Sequence, residues 1–86
     1  MKEPHEAINE VNSKEKFLSF VESLKNDLEV NPQNWENITL KDYLVALHSW
    51  TADMEGYYIN TNQQVPTSVS WKVFADILMA AKMYEG

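Results

Sequence analysis

The stretch SWKVFADILMAAKMYE, residues 70–85, decides the fold of this chain. It has the length of a helix, and only Lys72, Asp76, Lys82 and Glu85 interrupt its apolar character. A helix on the surface of a small domain normally carries one apolar stripe and one polar face. This segment is therefore predicted to be the central helix of a bundle, capped by Ser70, or to bury one of its faces against another chain.

A second helix is predicted upstream, with Thr39 as its N-cap and Asp42 at its third position, where a carboxylate interacts favourably with the helix dipole. Gly56 is expected to end it, because glycine readily takes the left-handed conformation beyond a helix end. Residues 57–69 are then an ordered loop. The predicted inward stripe of this helix consists of Leu40, Tyr43, Leu44, Leu47, Trp50 and Met54.

A first helix is predicted over residues 13–30, where Phe17, Phe20, Val21, Leu24 and Leu28 recur at helical intervals. Asn31-Pro32 should end it, because the residue before a proline is disfavoured in the helical conformation. Pro32 can start a single helical turn that reaches Trp35, and the Trp35 ring is expected to fold back on the helices.

The sequence thus predicts an all-α protein: a small single-domain bundle of three principal helices with one or two short helical turns. Residues 1–12 are expected to be a flexible N-terminal segment, or at most one short helix after Pro4, and residues 13–86 a single helical domain. A chain of 86 residues buries only about 60 to 65% of its unfolded surface, so the core is thin.

Composition excludes several classes of function. The net charge is −6 and all seven basic residues are lysine, which argues against nucleic-acid binding and favours a basic partner. There is no cysteine, so disulfides and thiolate chemistry are impossible. No signal peptide and no membrane-spanning stretch is recognisable, and a cytoplasmic location is expected.

No catalytic, metal or cofactor motif stands out, and the chain is predicted not to be an enzyme. Asp76 could act as a base only with a partnered group, and pairing with Lys72 or a buried phenol or indole is the favoured interpretation. His48, Asp53 and Glu55 are spaced so that they do not converge on one helix face, so no metal is expected there.

The best candidate for a binding site is the segment Gly56-Tyr57-Tyr58 with the adjoining acids Asp53 and Glu55. Tyrosine offers a large rigid contact area with a polar tip. The alternative is that one tyrosine caps the bundle and the other is half exposed. The remaining aromatic residues of this half, Trp50, Trp71 and Phe74, fall on inward stripes and are interpreted as core.

Met79 and Met83 lie one turn apart on the predicted third helix, on the side of Lys72 and Asp76. Exposed methionines suit an adaptable docking surface, so a homodimer through this face is a second hypothesis. The alternative is that the helix is central and the methionines are covered.

From Phe17 to Glu85 the sequence resembles a family of short bacterial proteins classed as a domain of unknown function. The resemblance lies in three motifs, Trp35-Glu36-Asn37, Gly56-Tyr57-Tyr58 and Ser70-Trp71, with further matches at Thr39-Leu40, Asp42, Leu44, Trp50, Asp53-Met54, Asn60, Pro66 and Phe74-Ala75-Asp76-Ile77-Leu78. It implies a small helical fold and a bacterial origin, and it brings no activity with it.

A looser similarity is to the immunity proteins that neutralise nuclease colicins, which are acidic, helical and of this length, with a pair of tyrosines that Tyr57 and Tyr58 match. Met54 stands where that family has an aspartate, and Ile59 where it has a proline. The expected function is a non-enzymatic protein-binding module, with an immunity protein and a homodimeric assembly component as alternatives.

Overall fold

A computed structural model describes residues 2–85, which form four α-helices and two short 3₁₀ turns. The helices are α1 (Pro4–Ala7), α2 (Lys14–Val30), α3 (Leu40–Asn60) and α4 (Trp71–Ala81), and the turns are Ile8–Glu10 and Pro32–Asn34. No strand occurs within these residues. The all-α fold of a single small domain is therefore confirmed, with α2, α3 and α4 as its principal helices.

The N-caps predicted at Thr39 and Ser70 are confirmed, and Ser13 caps α2. The side chains of Ser13, Thr39 and Ser70 each accept a hydrogen bond from the backbone N–H three residues later. These bonds satisfy backbone donors that have no partner inside the helix. Sequence therefore located the start of each long helix.

α4 is the central helix, as predicted, because it packs on both α2 and α3. Ala75 and Ala81 are fully buried on it, and Phe20 of α2 has no exposed surface. The helix ends at Ala81 rather than continuing to residue 85. Just after this end, the Lys82 carbonyl accepts hydrogen bonds from the backbone N–H groups of Glu36 and Asn37 in the connector between α2 and α3.

The N-terminal segment contributes to the core. Of the two expectations for residues 1–12, the structure contains the short helix after Pro4, and Ala7 and Val11 are buried against α2. Met1 and Gly86 lie outside the described residues. The predicted mobility of this segment in solution stays a prediction.

The predicted stop at Gly56 is wrong, because α3 continues through it to Asn60. The left-handed residue is Asn62, with φ 59°, and the N–H groups of Asn62 and Gln63 donate to the carbonyls of Ile59 and Tyr58. This is the Schellman pattern of a helix end, with Asn62 in the role expected of Gly56. Tyr57 and Tyr58 are therefore helical, and the loop begins only at residue 61.

Two groups of side chains assigned to the core are exposed instead. Trp71 and Phe74 are 41% and 40% exposed, although both rings pack on that of Phe17, with centroids 5.3 and 4.8 Å away. Leu40 and Leu44 of α3 are 74% and 51% exposed. The side of α3 that faces the interior is instead the one that carries Ala46, Trp50 and Tyr58, which are buried.

The Trp35-Glu36-Asn37 motif closes the carboxyl end of α4. The Asn37 side-chain amide donates to the carbonyls of Ala81 and Tyr84, both at 3.0 Å, and the backbone N–H groups of Glu36 and Asn37 donate to the Lys82 carbonyl. These carbonyls would otherwise be among the unpaired groups of a helix end. The connector and α4 are therefore fixed to each other by hydrogen bonds.

Beneath this motif lies a buried ionic contact. The Trp35 indole donates to Asp27 at 2.8 Å, and the Lys82 ammonium donates to the same carboxylate at 2.9 Å while lying 5.5 Å from the centroid of the Trp35 ring. Burial alone would raise the pKa of Asp27, but hydrogen bonds from Lys82, Trp35 and Asn31 lower this pKa below its ordinary value. The contacts of Asp27, Trp35, Asn37 and Lys82 are called the α4-end network below.

Candidate partner-binding site

Tyr57 and Tyr58 follow each other on the last part of α3 and have different surroundings. Tyr58 is 3% exposed, and its hydroxyl donates to Asp76 of α4 at 2.6 Å. Burial and this carboxylate raise the pKa of the Tyr58 phenol. Tyr58 is thus a core residue that ties α3 to α4, and it cannot itself meet a partner.

Tyr57 is 42% exposed, and its ring rests on other aromatic rings. Its centroid lies 5.5 Å from that of Trp50 and 5.0 Å from that of Tyr58, in tilted and edge-to-face arrangements. Such pairs are favourable beyond the area they bury. Tyr57 is consequently an exposed aromatic side chain whose ring is held in place by packing against Trp50 and Tyr58.

Asp53 lies one helical turn before Tyr57 and is exposed. Its carboxylate accepts a hydrogen bond from the Tyr84 hydroxyl at 3.0 Å, which raises the pKa of Tyr84. Residues four apart are neighbours on a helix surface, so Asp53 and Tyr57 form one patch. With Tyr84 they are called the Tyr57 surface below.

Glu55 does not belong to this surface. It is exposed, but residues two apart on an α-helix point roughly 160° from each other, so Glu55 faces away from Tyr57. Of the four predicted site residues, the structure therefore brings Asp53 and Tyr57 together, buries Tyr58 against the Tyr57 ring and separates Glu55.

Sequence reasoning missed Tyr84. The third predicted helix was expected to include Tyr84. Instead, α4 ends at Ala81, and the hydroxyl of Tyr84, which follows the helix, donates to Asp53. Nothing in the local pattern signals a contact across 31 residues of chain. Trp50, which was expected to be core, is buried and also backs Tyr57.

Asp76 has the structural surroundings that the sequence favoured. One of its carboxylate oxygens accepts from Tyr58 and the other from the Lys72 ammonium at 2.8 Å. Asp76 is 8% exposed, and a buried carboxylate is normally satisfied in this way. Both alternatives for Asp76, a lysine and a phenol, are therefore realised together.

One group of side chains within residues 2–85 has metal-ligand character. Single donor atoms of Glu3, His5 and Glu6 lie within 4.8 Å of one another, and all three residues are exposed. Structural metal sites in proteins are usually closed by four ligands, with further groups orienting them. Three exposed side chains on α1 and its N-cap do not by themselves make such a site, and His48 is not part of this group.

The family comparison gives a clear result. A family model described as "Family of unknown function (DUF7660)" matches residues 13–85, which is most of the chain. The protein belongs to this family. The resemblance to a domain of unknown function, stated from the three motifs, is confirmed, and the match begins at the N-cap of α2.

Comparison with curated proteins and with solved structures gives no significant match. The similarity to the colicin immunity proteins is therefore not shown. Membership of DUF7660 carries no activity with it. None of the helices formed by residues 2–85 combines the length and apolar character needed to cross a membrane.

The structure gives physical roles to the motifs by which the sequence resembles this family. Trp35 and Asn37 hold the carboxyl end of α4, Ser70 caps its amino end, and Tyr58 joins it to α3. In this DUF7660 chain the three motifs thus meet on the central helix. Tyr57 and Trp71 are motif residues that keep a large exposed fraction.

Proposed function

We propose that this protein is a non-enzymatic protein-binding module that contacts its partner through the Tyr57 surface. The observation that supports the proposal most is the state of Tyr57 itself. Its ring is almost half exposed, yet Trp50 and Tyr58 support it from behind. A tyrosine that is already fixed loses little side-chain entropy when a partner covers it.

Charge favours a basic partner. The Asp53 carboxylate lies beside Tyr57, and the chain as a whole carries a net charge of −6. Complementary charge speeds association and selects among partners more than it adds affinity. The proposed partner therefore presents lysine or arginine side chains around a pocket for an aromatic ring.

A structural role for the buried acids fits a binding protein better than an enzyme. Asp27 and Asp76 are the two buried carboxylates within residues 2–85, and each is engaged by a lysine and by an aromatic donor. Catalytic acids need a neighbouring group with which to exchange a proton and room for a substrate. A cytoplasmic location remains part of the proposal, supported by the lack of cysteine.

The homodimer hypothesis through Met79 and Met83 gains little support from the geometry. Met79 packs on the core cluster, while Met83 is 54% exposed and lies beyond the end of α4. The two methionines therefore do not continue along one helix face. The immunity hypothesis, which was based on the Tyr57-Tyr58 pair, gains no support from the comparisons with curated proteins and solved structures.

The test is a matched pair of variants used as bait in the native host, with captured proteins quantified by mass spectrometry. Tyr57→Ala should lose the partner, and Glu55→Gln, on the other side of α3, should retain it. Circular dichroism and thermal melting would check that both variants fold. Capture of the same proteins in the same amounts by Tyr57→Ala would contradict the proposal.

The acidic residue provides a second arm. Asp53→Asn should weaken capture and make it less sensitive to salt. The variant lacks the attraction between Asp53 and a basic partner, and this attraction is what dissolved ions screen. Unchanged salt dependence would mean that Asp53 serves only to hold Tyr84. It would also remove the argument for a basic partner.

A further inference from the structure

The side of α3 that faces away from α4 carries exposed apolar side chains at both of its ends. Leu44, Val45 and Ile59 are 51, 55 and 63% exposed, and they lie on the side opposite buried Ala46 and Trp50. Leu44 and Val45 lie at one end of this side and Ile59 at the other, and the exposed residues between them are His48, Ala52 and Glu55. The stripe from Leu44 to Ile59 is about 22 Å long at 1.5 Å per residue.

Two polar side chains lie on this side, one in each half. His48 lies in the amino-terminal half and Glu55 in the carboxyl-terminal half, and both are exposed on the side of α3 opposite the Tyr57 surface. Within residues 2–85 neither forms an ion pair with another side chain. One half thus offers a hydrogen-bond donor or cation and the other an anion.

The order of these residues is self-complementary when two copies of α3 pack antiparallel. Around a two-fold axis between Thr51 and Ala52, His48 and Glu55 lie equally far from the axis on opposite sides. Leu44 and Ile59 do so as well. A second copy packed antiparallel in this register would place His48 against Glu55 and Leu44 against Ile59, and symmetry would make each contact twice.

We infer that the outer face of α3 binds a second copy of this chain in that antiparallel register. The small or slender side chains at the axis, Thr51 and Ala52, allow the two helices to approach to roughly 8–10 Å. Apolar residues then meet apolar residues and the His48 imidazole can donate to the Glu55 carboxylate, whereas a parallel pairing would place His48 on His48 and Glu55 on Glu55.

The size of the stripe sets the strength of the dimer. A single pair of helices meeting over about 22 Å covers less than the roughly 800 Å² per partner of a standard stable interface. Association is therefore expected in the micromolar range. The inference is independent of the proposed partner site, since the Tyr57 surface of each copy would stay free on the far side of its helix.

Sedimentation equilibrium of the full chain from about 0.5 µM to about 1 mM would measure this association, which depends on concentration by mass action. The weight-average mass of the wild type should rise from 10.0 kDa toward twice that value. A wild type that stays at 10.0 kDa throughout would overturn the inference and leave the outer face of α3 for a different protein.

Charge reversal tests the register. His48→Glu should raise the dissociation constant about tenfold, because two pairs in which an imidazole donates to a carboxylate become two pairs of repelling carboxylates. The double variant H48E/E55K places a cation opposite each carboxylate and should return to within about threefold of the wild type. All of these side chains are exposed, so folding should be unaffected, and circular dichroism would verify it.

Met83→Glu is the matched control, because it places the same charge on the face that the sequence suggested for a dimer. It should leave the dissociation constant unchanged. A dimer that survives His48→Glu and is broken by Met83→Glu would contradict the inference. So would a double variant that associates no better than His48→Glu alone.

Discussion

The carboxyl end of α4 and the outer face of α3 are opposite in character. At the α4 end, a buried carboxylate, an ammonium and an indole satisfy one another, and the connector covers the last carbonyls of the helix. On the outer face of α3, the helix satisfies its own backbone and leaves Leu44 and Ile59 exposed. The first region therefore holds the fold together, and the second is free to make contacts with other molecules.

The largest expected effect lies in the α4-end network. Asp27→Asn leaves the Lys82 ammonium, 13% exposed, without its counter-charge, and should lower the free energy of unfolding by about 3 kcal/mol. Glu29→Gln, an exposed acid on the same helix, should change it by less than about 0.5 kcal/mol. Urea denaturation of both variants measures the difference. Equal effects would mean that the network contributes no more to stability than the surface does.

The same residue makes stability depend on pH in a defined direction. The pKa of Asp27 in the folded protein lies below its ordinary value of 3.8, so its contribution is present above that pH. It is lost as the pH falls through the folded pKa. Thermal melting of the wild type should therefore decline on acidification below about pH 4, and Asp27→Asn should decline less. Parallel curves for the two proteins would exclude Asp27 as a source of acid sensitivity.

The two adjacent tyrosines should differ by a smaller amount. Tyr58→Phe removes the hydroxyl that donates to Asp76 and should cost about 2 kcal/mol, as expected for a hydrogen bond to a charged group. Tyr57→Phe removes a hydroxyl at the surface and should cost less than about 0.5 kcal/mol. If the two substitutions cost the same, the assignment of Tyr58 to the core and Tyr57 to the surface is wrong.

The smallest effect is expected at Gly56, and it has the opposite sign. An added Cβ there would meet no atom within 4 Å, and the backbone is helical without a positive φ. Gly56→Ala should therefore stabilise the protein by about 0.5–1 kcal/mol, measured by urea denaturation. A loss of stability would show that α3 ends at Gly56, as the sequence alone suggested.

Much of the fold could be predicted because it depends on local patterns. The starts of the long helices follow from Ser13, Thr39 and Ser70, since capping joins residues three apart. The central position of α4 follows from its composition. The burial of Trp35 follows from the size of its ring.

The rest depends on contacts between distant residues. α3 passes through Gly56 because the burial of Tyr58 against α4, on the order of 2 kcal/mol for a large side chain, offsets the cost of about 1 kcal/mol for a glycine inside a helix. The pairing of Asp27 with Lys82 spans 55 residues, and the sequence around neither residue indicates it.

The candidate site was harder to predict than the fold for the same reason. Which of the two tyrosines faces solvent depends on whether the helix continues past Gly56, and so on a contact that Tyr58 makes with another helix. Sequence could name Tyr57 and Asp53, but it could not separate Tyr58 and Glu55 from them. Tyr84 reaches Asp53 only because α4 ends early.

The connector between α2 and α3 is fixed on the end of α4 by hydrogen bonds, and amide hydrogen exchange at Asn37 tests this claim most directly. The Asn37 N–H lies outside any helix and donates to the Lys82 carbonyl at 3.1 Å. We predict that it exchanges within about tenfold of the slowest amides of α4, because breaking its bond requires the α4-end network to open. Exchange at the rate of an unfolded chain would contradict the claim.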